Sequence, residues 1–130
     1  MFDILVAIEK IEIYTERFES ADALRHAMME WDATVREFEI IGEAANHLIK
    51  AGLFGEEKRA VVDFRNVLIH KYFGIDEEEV WQVIKDLHRL KDEVIRQIDA
   101  LPNRAFLAKK VALEYSHQPR ILALLQNFYD

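Results

Sequence analysis

Ile4, Ile8 and Ile11 fall at intervals of four and three residues, Phe18 follows at seven, and Leu5 widens the stripe they draw. That is the spacing of one face of an α-helix, and it predicts an amphipathic helix over residues 2–19. Trp31, Val35, Phe38, Ile41, Ala45 and Leu48 recur in the same way. They predict a second helix that starts after Ser20 or Asp22, both residue types that cap helices, and runs to about Lys50. The two stripes can face one shared core. Ala51-Gly52-Leu53-Phe54-Gly55 reads as a connection, because two glycines follow directly on a long helical pattern. A shorter helix is expected over residues 56–72, with Val62, Leu68 and Ile69 available for packing, and Gly74 is placed to end it in the left-handed conformation. Asp76-Glu77-Glu78-Glu79 has the form of a capping box, with Asp76 accepting from first-turn amides and Glu79 reaching back. The helix it opens carries Val80, Ile84, Leu87, Leu90, Val94 and Ile98 before Pro102 interrupts the pattern.

Four principal helices with short connections predict an all-α fold, an antiparallel helical bundle. Residues 103–130 read as a C-terminal extension of two short helices broken around Pro119. Short helices are marginal alone in water, so the extension is expected to dock on the bundle or on another subunit. A chain of 130 residues has room for a single domain over 1–130, and at this size roughly two thirds of its extended surface can be buried. No internal repeat or low-complexity tract interrupts it.

Composition narrows the chemistry. The absence of cysteine excludes disulfides, cysteine nucleophiles and thiolate metal sites, and suits a reducing cytoplasm. The start, MFDILVAIEKIEIY, has neither a basic leader nor a small-residue cleavage site, and no apolar run has the length of a membrane span. A cytoplasmic protein without a membrane partner is therefore expected. The net charge of −7 argues against a broad basic surface for nucleic acid, but not against a local cationic cleft. Residues 1–100 carry 13 Lys and Arg against 22 Asp and Glu, whereas residues 101–130 carry 4 against 2. A polyanion is thus expected near residues 58–71 or the tail.

The stretch RNVLIHKYFG, residues 65–74, places an arginine, a histidine and a tyrosine in an apolar neighbourhood. On a helix Asn66 and His70 share a face, and Arg65 has the reach to bring its guanidinium beside the imidazole, so both can meet one phosphate. Arg65 would bind a scissile phosphate with its fork of donors and offset transition-state charge. His70 would move a proton from an attacking ribose 2′-hydroxyl or toward the leaving oxygen. That route needs RNA and no obligatory metal or cofactor. Asn66 suits an orienting role, and Tyr72 either hydrogen-bonds substrate or presents a hydroxyl for modification. One such pair is thin equipment, and a two-fold dimer would supply two copies to one cleft. Structural readings stand beside these. Arg65 can instead pair with Asp63 or Glu43, His70 and Asn66 can be ordinary hydrogen-bonding residues, and Tyr72 can be a bundle aromatic. Glu43 and His47 form an i,i+4 pair that orients the histidine or is a surface contact. His26, His88 and His117 are dispersed, and neither HExxH nor a glycine-rich phosphate loop occurs.

RNVLIHKYFGID, preceded by EFEIIGEAANHL at 37–48 and followed by EEEVWQVI at 77–84, resembles the R-x4-H-x-Y pattern of the HepT-like branch of the HEPN superfamily. The resemblance covers most of residues 2–100. It implies a dimerising helical bundle, an endoribonuclease toxin whose catalytic residues are Arg65 and His70 in a composite cleft, supported by Asn66. It also implies a minimal nucleotidyltransferase antitoxin that attaches adenylyl groups at Tyr72, whose phosphates would repel RNA. Where relatives often have a tryptophan and a Gly-Met pair before the arginine, this chain has GEEKRAVVDF, and Asp63 is placed to hold Arg65 away from phosphate. Residues 103–130 lie outside the mapped likeness. A catalytically inactive dimeric adaptor of a nucleotidyltransferase is the alternative.

Overall fold

The computed structural model describes residues 1–71 and 74–130, so the expectation for Tyr72 lies outside the described residues. Among them the chain forms seven α-helices: α1 (Phe2–Thr15), α2 (Ala21–His26), α3 (Met28–Lys50), α4 (Arg59–His70), α5 (Glu77–Asp99), α6 (Arg104–Ala112) and α7 (Pro119–Gln126). Short 3-10 turns at Glu56–Lys58 and Leu113–Tyr115 precede α4 and follow α6. The all-α expectation holds.

The second expected helix is in fact two. Ser20 caps α2 by accepting a hydrogen bond from the amide of Ala23 at 3.1 Å, as its residue type predicts. At Ala27 the backbone then leaves the helical region (φ −83°, ψ 84°) and α3 begins afresh. No glycine or proline marks the break. Leu24 and Trp31 are buried on either side of it, while Met28 and Met29 are exposed. The packing of both flanks fixes the bend, and tertiary burial overrides local propensity.

α3 ends in a Schellman motif: Leu53 donates to the carbonyl of Leu48 at 2.9 Å and Gly52 to that of Ile49 at 3.0 Å. Gly52 holds φ +77°, the left-handed position that a side chain disfavours. Gly74 does not share that conformation, contrary to the sequence expectation. Its amide donates to the carbonyl of Lys71 at 2.9 Å. Asp76 caps α5 by accepting from the amides of Glu78 and Glu79 at 3.0 and 3.4 Å. Among the described residues Glu79 returns no hydrogen bond, so the box is half formed.

α1 is the central element. Ile4, Leu5, Ile8 and Ile11 are all fully buried in the main core with Phe38 and Ile41 of α3 and Val94 and Ile98 of α5. Val6, on another side, joins a smaller cluster with Ala112, Ile121 and Leu125 of the C-terminal extension. A helix apolar on most sides is one buried on most sides, and the extension supplies the cover. The ring of Phe2 also meets Phe128 edge to face, centroids 5.8 Å apart.

Charge fastens the same join. The Lys91 ammonium on α5 donates to Glu9 and Glu12 of α1 at 2.9 and 3.0 Å, and Arg120 of α7 stands 3.5 Å from Glu9 and also pairs with Glu16. Burial pulls the Lys91 ammonium down, but its bonds to Glu9 and Glu12 outweigh that and hold its pKa above the ordinary lysine value. No helix among the described residues is long and apolar enough to cross a membrane.

Candidate active site

α4 lies against α3 in antiparallel fashion. Arg59 donates to Asn46 at 3.2 Å, and farther along α4 Phe64 meets Phe38 edge to face at 5.1 Å. The packing face of α4 is built at helical spacing: Val62 and Leu68 are buried and Val61 is half-buried. Arg65 falls on this same face, four residues after Val61 and three before Leu68. An arginine there needs somewhere to lay its stem.

Gly42 of α3 provides the place. A Cβ built on Gly42 would stand 2.2 Å from Cβ and 2.5 Å from Cγ of Arg65, far inside contact distance. Only glycine lets the two helices approach with the arginine between them. The half-buried stem thus rests on α3 while the charged head extends outward, a division typical of long cationic side chains. Sequence reasoning missed Gly42. The available signal was a glycine inside an otherwise unbroken helical pattern, which costs about 1 kcal/mol against alanine and usually has a packing reason.

The head of Arg65 is oriented but not neutralised. Its Nε donates to Oδ1 of Asn66 at 2.9 Å. Among the described residues no carboxylate lies within 4.0 Å of it, so the pairing with Asp63 or Glu43 weighed from sequence is not formed. Nearby cations differ: Lys58 pairs with Glu93 at 2.6 Å and Arg59 with Glu56 at 3.3 Å.

Asn66 and His70 are both exposed and lie four residues apart, hence on one outward face. His70 is the last residue of α4. The structure therefore joins Arg65 to Asn66 directly and sets Asn66 in line with His70, without a hydrogen bond between Arg65 and His70. Ile69, expected to pack, is instead 47% exposed and gives this helix end an apolar edge.

The other sequence candidates stay apart. Glu43 and His47 border a shallow recess with Asp3, and no ion pair joins them among the described residues. His26 and His88 bond to the backbone carbonyls of Asp22 and Lys85. No group of three or more His, Asp or Glu side chains converges to hold a metal ion among the described residues.

Comparison with known proteins bears on this arrangement. The family model described as Ribonuclease HepT-like matches residues 4–98. The chain is 36% identical over 104 residues to the "Gamma-glutamylcyclotransferase and putative RNase MJ0434" of Methanocaldococcus jannaschii, covering 75% of this chain and 46% of that protein. It spans about half the length of that relative. It is 32% identical over 98 residues to the "Putative RNase MJ1380" of the same organism, covering 72% of this chain and 89% of that one. With the "Probable ribonuclease HepT" of Thermococcus cleftensis it shares 36% identity over 87 residues, 65% of this chain and 78% of the relative. No solved structure matches the chain.

Proposed function

The chain belongs to the ribonuclease HepT-like family, and from that premise we propose that it is an endoribonuclease toxin of a toxin–antitoxin pair that cleaves RNA with Arg65 and His70. The observation that carries this reading is the Arg65 head group, seated over Gly42, oriented by Asn66 and unpaired with any carboxylate among the described residues. A structural arginine in a chain of net charge −7 would have carboxylates to choose from. This one keeps its Nη donors for a ligand.

In the reaction, the guanidinium grips the scissile phosphate and offsets the charge that builds on its oxygens. One His70 takes the proton from the ribose 2′-hydroxyl as that oxygen attacks phosphorus. The P–O5′ bond breaks, and O5′ takes a proton from the second His70 of a homodimer. The products are a 2′,3′-cyclic phosphate and a 5′-hydroxyl, and no metal takes part. The exposed Ile69 beside His70 supports a second copy covering this side. Tyr72, two residues past His70, is the site at which a nucleotidyltransferase-like antitoxin adds adenylyl groups, whose negative charge excludes RNA.

The test is RNA cleavage by the purified chain in EDTA. Arg65→Lys and His70→Ala are expected to lower the rate by at least about a thousandfold, the scale of losing an electrostatic or acid–base contribution, with helicity and oligomeric state unchanged. A 2′-deoxy nucleotide at the cut site should block the reaction. Cleavage retained by both folded variants would sink the assignment.

A further inference from the structure

A cleft of about 420 Å³ opens at the C-terminal end of α4, between that helix and the α2–α3 bend. It falls within the range of small-ligand sites, about 300–1,000 Å³. Trp31, Val35, Leu68 and Ile75 form its apolar floor. Its rim carries donors on Arg25 and Arg36 and acceptors on Asp32 and Glu39. A phosphate would find those acids repulsive. A planar heterocycle with donors and acceptors along its edge would find both partners.

The bend at Ala27 creates the stacking surface. On an unbroken helix, side chains six residues apart point about 120° away from each other. Here the guanidinium of Arg25 lies over the Trp31 ring at 5.2 Å, its outer face exposed. Guanidinium planes backed in this way are surfaces on which unpaired RNA bases stack.

Position ties the cleft to the cleavage site. Leu68 lies three residues after Arg65 on the same face of α4, a rise of about 4.5 Å. Resting on the ribonuclease reading above, we propose that this cleft receives the base of a nucleotide flanking the scissile phosphate and sets where the RNA is cut. Arg25 stacks on the base, and Asp32 and Glu39 accept hydrogen bonds from its edge. The rim pairing of Arg36 with Glu39 at 3.6 Å leaves Asp32 the freer acceptor, and Asp32 has no ion pair among the described residues.

Two measurements on the full chain separate this proposal from the ribonuclease reading. The first is binding of 2′-O-methyl oligoribonucleotides, which cannot be cleaved by 2′-hydroxyl attack, in a Trp81→Phe background where Trp31 is the sole indole. Saturable quenching that depends on base identity, and that weakens about tenfold in Arg25→Ala and Asp32→Ala, is expected from loss of one stacking or edge contact. No quenching by any of the four bases, or quenching indifferent to both substitutions, overturns the proposal. The second maps cut sites on a mixed-sequence RNA. The unaltered chain should favour one base beside the cut, and Arg25→Ala and Asp32→Ala should flatten that preference while cleavage continues. An unchanged preference overturns the proposal. Base-selective quenching by a chain that cleaves nothing would remove the ribonuclease reading and leave the base cleft standing.

Discussion

Two polar regions of this molecule are built on opposite terms. Where α1, α5 and α7 meet, Glu9 and Glu12 are shared by Lys91, Arg120 stands by Glu9 and pairs with Glu16, and each of these five charges has a partner. At the end of α4, Arg65 is packed by its stem and steered through Nε, yet its charge is unanswered among the described residues. The first arrangement holds helices together. The second holds one cation still and leaves it available. A charge that is fixed without being neutralised is free to meet a ligand, as the proposed reaction requires.

That contrast can be broken most directly by exchanging one side chain in each region. Lys91→Met should cost about 3 kcal/mol of stability, because it strands the Glu9 carboxylate, only 8% exposed as a side chain, with Arg120 at 3.5 Å as its remaining partner. Arg65→Lys keeps the apolar stem over Gly42 and should stay within about 0.5 kcal/mol of the parent, while losing the bidentate fork. Urea unfolding of the two variants measures this. Equal losses would mean that both regions serve the fold.

The Gly42 contact sharpens the comparison at the next level of effect. Gly42→Ala drives a methyl group into the Arg65 stem and should cost about 2 kcal/mol, the weight of an overpacked core site. Cleavage should fall as well, through displacement of the guanidinium, and the combination of a modest stability loss with a large activity loss is the expected signature. Thermal melts and cleavage rates on the same preparation read both. A variant with full activity would detach Gly42 from the site.

Much of this was legible in the residues and some of it was not, for identifiable reasons. The stripes of α1 and α5 and the caps at Ser20 and Asp76 are local signals, carried by spacing and by side chains that bond to their own helix. The break at Ala27 had no such signal, because it is set by where Leu24 and Trp31 find cover. Yet that bend shapes the cleft beside the motif. Arg65, Asn66 and His70 were recognisable by type and spacing, but whether Arg65 would be neutralised by Asp63 or Glu43 depended on side-chain direction. The glycine beneath it belonged to another helix, 23 residues away.

Another carboxylate places the two regions on one scale. Glu37 is buried on α3, and burial holds its pKa above the ordinary range, with Lys10 and Arg36 pulling it back down. The folded state therefore binds the proton more tightly than the unfolded chain. Between the ordinary value and the raised one the folded state carries more protons, so stability falls as pH rises through that window and levels off above it. Glu37→Gln removes the ionisation and should raise stability at pH 7. The gain should vanish below the carboxylate range, where the parent is protonated in both states. Urea melts at acid and neutral pH measure the difference. Glu9, equally buried but bonded to Lys91, should instead lose stability on Glu9→Gln at neutral pH, because the substitution takes a charged partner from Lys91. If Glu37→Gln behaved likewise, the carboxylate would have a partner in solution and would belong with the joined charges of α1 and α5, leaving the end of α4 alone in its exposure to a ligand.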